Sequence, residues 1–435
     1  MASDRRRLLG NMASLFTLQG TNYILPLIII PYLVRVLGPE KYGLVVFAQA
    51  VIQYFVIVTD YGFNMSATRD VALHRNDPDQ VNQIISTVIL IKFLLALIGA
   101  IFLTIMIFTI GNLYHHYTLY LAVYLTVIGS TIFPTWLFQG LERMRELTVL
   151  NIVSRLVTTA AIFIVVQTPN DYTVAATLQS VQGILASIPA WYIIRRDGLG
   201  KYRAPSLSEI KSQLKSGYHL FLSSMSVNVY TTSNIVILGI FGGPTEVGYF
   251  SPAYKLVLAI FGLLSPITQT LYPHISSIAK TSMKDAISFS RRLIWPIAGF
   301  GITASLIIYL FSGAIISTLF GKDYAQSIII LQLFSAIPLA VALSNLFGTL
   351  TMLPLGMSKQ FSRILFQAAT FNIFLSACLT YAYSGNGTAM AMVLTEYLVT
   401  ILMLVTLCKV GILCKSATVL SYDGANRLAD ELEIK

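Results

Sequence analysis

Five ionisable residues stand inside otherwise apolar runs, and their types bound the chemistry open to this chain. Lys92, Arg155 and Lys255 are cations, whereas Asp60 and Glu396 are acids. An ionisable group at membrane depth is costly, and by default it faces a cavity or a partner. Lys92 lies eight residues into its run, about 12 Å from the end at 1.5 Å per residue, and Lys255 lies seven residues in, roughly 10 Å deep. Three cations at depth suit an anionic ligand and make these residues the candidate cationic wall of a cavity. Snorkelling of a long side chain to the interface, or a local structural pair, is the alternative for Lys92 and Arg155, and an ion pair with Glu396 is the alternative for Lys255. Asp60 and Glu396 are candidates for ion coupling, because a carboxyl in a low dielectric can take up and release a proton as its surroundings open to each side. Asp60 can equally cap a helix end or pair with Arg69.

Other chemistry finds little support. The chain contains no GxxxxGK[ST] phosphate loop, no HExxH and no GxSxG, so ATP hydrolysis and the commonest hydrolytic sites are not expected. Its five histidines are scattered apart from the adjacent His115 and His116, and its three cysteines lack metal spacing. Neither a metal nor a cofactor is expected. Asp77-Pro78-Asp79 fits the DxD pattern of some glycosyltransferases, but two aspartates around a proline also make an ordinary helix-capping turn.

The elements that must position these residues are membrane spans. Hydrophobic residues make up 55% of the 435 positions and charged residues 11%, against roughly 25% charged in soluble domains. Apolar segments fall at about 11–37, 43–63, 84–110, 117–139, 149–168 and 173–194, then at about 217–241, 248–273, 290–311, 325–352, 364–383 and 388–409. Twelve segments of this length suit twelve helices crossing a hydrocarbon core about 30 Å thick. The first run is longer than a signal-peptide core and reads as a retained span. With the N-terminus in the cytoplasm, 23 of the 29 Lys and Arg residues fall on cytoplasmic pieces, the bias that marks the inner face. Both termini are therefore expected inside. The net charge of +10 is this orientation signal and implies no nucleic acid; it also suits an anionic inner leaflet.

The longest polar break, 195–216, divides the spans six and six. GPEKYG at Gly38, Pro39 and Gly43 recurs as GPTEVG at Gly243, Pro244 and Gly248, and both copies fall on the turn between the first two spans of their half. Gly tolerates unusual φ and Pro cannot continue a preceding helix, so each hexamer is expected to be a hinge turn. The expected organisation is a bundle over 1–205, a second over 206–415 and a tail over 416–435, as parallel repeats of a secondary transporter. Gln19 and Asn22 in the first span, and Asn228 and Asn234 in the seventh, are candidate polar residues lining a central cleft.

The stretches QGTNYILPLIIIPYLVRVLGPEKYGLVVFAQA, DYGFNMSATRDVA, PTWLFQGLERM and GYFSPAYKL resemble the bacterial polysaccharide transporter family, in particular the Wzx-type O-antigen flippases. The resemblance spans nearly the whole chain. It implies an all-α integral membrane protein with two six-helix bundles, in a V-shaped fold similar to multidrug and toxin extruders. It further implies ion-driven movement of undecaprenyl-diphosphate-linked oligosaccharide from the cytoplasmic to the periplasmic leaflet of the inner membrane, with membrane lipid, a polysaccharide polymerase and a chain-length regulator as partners. A multidrug or small-solute exporter of the same fold is the first alternative, although cationic substrates would favour intramembrane acids over bases. An O-antigen polymerase is the second, but every outer loop here is short where that activity expects a large one.

Overall fold

The computed structural model describes residues 2–413, and their side chains except at 2–27, 112, 219, 223–224, 226–231, 261, 263–267 and 269. All twelve apolar segments lie on helix. Seven of the described helical stretches are long and apolar enough to cross a membrane by themselves. With no water to satisfy exposed backbone groups in a bilayer, continuous helix is the solution such sequences adopt.

Helix α1 (Ala2–Asp60) covers the first two segments and breaks at Gly38, where φ is 69°. It is followed by α2 (Phe63–Leu73), α3 (Pro78–Thr109), the one-turn α4 (Gly111–Tyr114), α5 (Tyr117–Ile132), α6 (Thr135–Gly140), α7 (Met144–Val165), α8 (Tyr172–Ser180) and α9 (Gln182–Arg196). Helices α10 (Leu207–Phe241) and α11 (Gly243–Thr281) meet at the second hexamer, whose Gly243 has φ 82°. Then come α12 (Met283–Leu319), α13 (Gln326–Phe334) and α14 (Ile337–Ser344), which runs into a π-helical stretch Asn345–Met352. The last helix, α15 (Ser358–Lys409), covers two segments and breaks at Ser384 (φ 49°).

The chain forms two compact units. One comprises Met1–Pro252, Ile316–Ser327 and Thr380–Gly385; the other comprises Ala253–Ile315, Ile328–Leu379 and Asn386–Lys435. In the first, α3 shows how a membrane helix divides its faces. Val81, Ile84, Ile85, Val88 and Ile91 are buried together with Trp136, Leu137 and Phe138 of α6, whereas Phe93, Ile98, Ile101, Phe102 and Ile105 are exposed. Both faces are apolar, as expected where one meets protein and the other lipid. In the second unit, Leu346, Phe347, Leu350 and Met352 bury against Val399, Met403 and Leu407 of α15. Asn372 donates its amide to the hydroxyl of Thr395 at 3.0 Å, so the two arms of α15 fold back on each other around Ser384.

The stretch joining α9 to α10 is tied down. Asn82 accepts from the backbone N–H groups of Gly200 (2.7 Å) and Lys201 (3.2 Å), and the Ser86 hydroxyl accepts from that of Arg203 (3.0 Å). Helix α10 then starts with a capping box in which Ser206 and Glu209 satisfy each other's backbone N–H groups.

Candidate functional site

Lys92 has a side chain only 2% exposed, and its ammonium donates to Asp60 Oδ1 at 2.7 Å. It also donates to the carbonyl oxygen of Ser130 at 2.6 Å. The second acceptor follows from the sequence of α5. In a helix, the carbonyl of residue 130 would accept from the N–H of residue 134, but that residue is Pro134 and has no N–H. A carbonyl in the last turn of a helix is also where a cation is favoured. Asp60 accepts in turn from the Asn64 amide at 2.9 Å, and a buried charge with a partner and further hydrogen bonds avoids the full cost of desolvation. The Lys92 side chain thus joins the end of α1, the middle of α3 and the end of α5. Arg69, the cation expected from the sequence as a partner for Asp60, bonds Asp70 at 3.2 Å instead.

Two of the stretches that carried the family resemblance meet beside this pair. Thr68 of α2 donates to the carbonyl of Trp136 in α6 at 3.1 Å. A methyl group added to Gly140 would lie 2.7 Å from Val71 Cβ and 2.8 Å from the Thr68 carbonyl oxygen, so the two helices cross at a point that only glycine permits. Arg75 and Glu142 close the same corner at 3.1 Å. Asp77 caps α3 by accepting from the N–H groups of Asp79 and Gln80, so the DxD tripeptide is occupied as a capping turn.

The two hexamers are in mutual contact. A Cβ on Gly43 would overlap the Pro244 carbonyl oxygen, and one on Gly248 would overlap that of Pro39. Gly43 and Pro39 of the first copy correspond to Gly248 and Pro244 of the second, so the contact is reciprocal. Neighbouring turns reinforce it. Arg35 donates to the carbonyls of Thr318 and Leu319, Tyr324 donates to that of Val34 at 3.1 Å, Ser327 donates to that of Tyr249 at 2.7 Å, and Glu246 accepts from the Gly385 N–H at 3.0 Å.

Arg155 is half-buried on α7 and Lys255 is half-buried on α11. Tyr254, beside Lys255, packs on Phe334 with ring centroids 5.9 Å apart and is within electrostatic reach of Glu396 on α15. Asn234 is buried on α10. Gln19, Asn22 and Asn228 fall outside the residues whose side chains are described. The buried polar seam of α15, with Asn372, Ser376 and Thr395 at 0% exposure, was missed by sequence reasoning. Its signal was there: Asn372 and Ser376 stand at i, i+4 spacing in an apolar run. Among the described residues, no group of three or more His, Cys, Asp or Glu side chains could hold a metal ion.

Known proteins share this architecture. In solved structures, the chain is similar to the lipid II flippase MurJ (TM-score 0.74, 13% identity, 92% of this chain and 87% of that one). It is also similar to a multidrug resistance MATE family transporter of the MOP superfamily (TM-score 0.63, 15% identity, 92% and 96%). The fold is therefore the all-helical one shared by these transporters. In sequence, it is 36% identical over 405 residues, 93% of this chain and 97% of the other, to an Escherichia coli (strain K12) protein named as an O-antigen transporter. Residues 8–279 match the polysaccharide biosynthesis protein family. With a match over more than half of its length and a relative this similar from end to end, the chain belongs to the polysaccharide biosynthesis protein family, as a multi-pass membrane protein.

Proposed function

We propose that this chain is a flippase that moves an undecaprenyl-diphosphate-linked oligosaccharide repeat unit of O-antigen from the cytoplasmic to the periplasmic leaflet of the bacterial inner membrane. It is a transporter rather than an enzyme, and it works by alternating access coupled to an ion gradient. The observation that carries this reading is the end-to-end similarity to a relative named as an O-antigen transporter. The likeness to a lipid flippase in fold supports it. So does the excess of cations over acids at membrane depth, because a diphosphate brings negative charge into the bilayer.

In this reading both termini are cytoplasmic, and the chain is built as six-helix halves over 1–205 and 206–415. Arg155 and Lys255 face the diphosphate during transit. Lys92, engaged by Asp60 and Ser130, shapes the cavity from behind. Asn234, with Gln19, Asn22 and Asn228, lines the path of the sugar, and Asp60 and Glu396 carry the coupling ion. A polysaccharide polymerase and a chain-length regulator receive the product.

Deletion of the gene tests the proposal. Lipid-linked repeat units should accumulate on the cytoplasmic face and surface polysaccharide should disappear, with both restored by the intact chain and neither by a Lys255→Glu variant that still inserts. Unchanged surface polysaccharide in the deletion strain would overturn it. Ion coupling is read in vesicles, where collapse of the pH gradient should slow transport and indifference would leave Asp60 and Glu396 as structural residues.

A further inference from the structure

The reciprocal contact of the hexamers has a counterpart at the far end of the same helix pair. Where α1 ends, Tyr61 adopts φ 44° and Gly62 adopts φ 74°, turning the chain onto α10. A Cβ on Gly62 would lie 2.9 Å from the Phe221 nitrogen, and one on Gly217 would lie 2.8 Å from the Tyr61 carbonyl oxygen. The Tyr61 and Phe221 rings stack over this point, with centroids 4.8 Å apart and planes 10° from parallel. Between the two contacts, Phe47 fills the surface of Gly239, where an added Cβ would overlap its ring. The second arm of α1 is thus held against α10 and the turn that follows it at both ends, by glycines that approach backbone atoms directly.

The spacing of these contacts matches the bilayer. From Gly43 to Gly62, at 1.5 Å per residue, is about 28 Å, close to the roughly 30 Å thickness of a hydrocarbon core. That spacing would put one contact at each face of the membrane. Both bring backbone against backbone, with the stacked Tyr61 and Phe221 rings over one and the Arg35 and Tyr324 side chains beside the other, so parting either one also separates those side-chain contacts. Close glycine approaches of this kind hold membrane helices together by packing and weak Cα–H···O contacts.

We propose that Gly43 with Gly248, and Gly62 with Gly217, are two latches that close the transport path at opposite faces of the membrane. Each cycle parts one while the other stays shut. This rests on the alternating-access reading above and adds the residues that set the closed state. Tyr54, which lies between the latches on α1 and bonds Ser233 of α10, is the position that either opening would expose.

The test uses the full chain with its three cysteines replaced by serine and Tyr54→Cys introduced, in sealed vesicles of each orientation. A membrane-impermeant maleimide labels the introduced thiol from whichever face is open. Gly43→Ala should raise the labelling rate from the hexamer face alone, and Gly217→Ala from the opposite face alone. Each rise should be roughly tenfold, the order expected when an added methyl group must displace a backbone oxygen. A rise from both faces with either variant would show general loosening and overturn the proposal, as would no rise at all. Labelling is read without substrate, so it separates the latches from the transport assignment: loss of surface polysaccharide with unchanged labelling would sink the latches alone, and face-specific labelling in a chain whose deletion leaves polysaccharide intact would sink the flippase reading alone.

Discussion

Lys92 reaches the carbonyl oxygen of Ser130 at 2.6 Å, an oxygen left without its helical partner by Pro134. The same ammonium bonds Asp60 at 2.7 Å. One side chain therefore offsets a helix defect in α5 while neutralising the acid at the end of α1.

Removing either charge of this pair strands the other. Lys92→Met should destabilise the protein by roughly 3 kcal/mol, the lower part of the range for breaking a buried pair, because Asp60 keeps some access to solvent. Asp60→Asn should do the same, while the double variant should recover much of the loss. Thermal melting in detergent of all four proteins measures the coupling, and additive losses would show that the two residues act separately.

Helix α5 ends at Ile132 with Phe133 extended (φ −80°, ψ 108°), and Pro134→Ala supplies the N–H that a continued helix would give to the Ser130 carbonyl. The cost of Lys92→Met should then shrink by about 1 kcal/mol, the size expected for one hydrogen bond. An unchanged cost in the Pro134→Ala background would mean that the Ser130 contact contributes nothing.

The crossing of α2 over α6 leaves no space at Gly140. Gly140→Ala should cost about 1 to 3 kcal/mol through overpacking, and Val71→Ala in the same chain should relieve part of it, since Val71 Cγ1, which alanine lacks, lies 2.7 Å from where the new methyl group would stand. Melting temperatures of the two single variants and the double variant decide the matter; a double variant worse than the sum would refute it.

The corner at Asp197 carries a pH signature. Its carboxyl is hydrogen-bonded by Arg143, which holds it below the ordinary value of 3.8. A carboxyl depressed in the folded state contributes stability that is fully present above its unfolded pKa and is lost as pH falls through the folded one. Asp197→Asn should therefore lower the melting temperature at pH 7, with a gap to wild type that narrows as pH drops below about 4. A gap independent of pH would show that the Arg143 contact carries no charge effect.

How much of this was legible in the sequence differs from residue to residue. The twelve apolar runs show as helices because in lipid the backbone has no other way to satisfy itself over such a length. The turns at Gly38 and Gly243 were legible for a local reason: a Gly-Pro step both permits the left-handed conformation and interrupts a helix. Asp77 was legible as a cap by the same local logic. Lys92, Arg155 and Lys255 announced themselves through the cost of charge in an apolar run.

What those charges touch was not legible. The sequence offered Arg69 as a partner for Asp60, and only the fold brings Lys92 of α3 to it while Arg69 turns to Asp70. The recurrence of GPEKYG as GPTEVG showed a shared template, yet nothing local says that Gly43 rests on Pro244 and Gly248 on Pro39. By itself the sequence determined the helices, their breaks and their cost in lipid, because these depend on propensity and hydropathy over a few neighbours. The tertiary structure decided the ion pair, the glycine contacts and the seam of α15, because each joins residues far apart in the chain whose meeting depends on how whole helices pack.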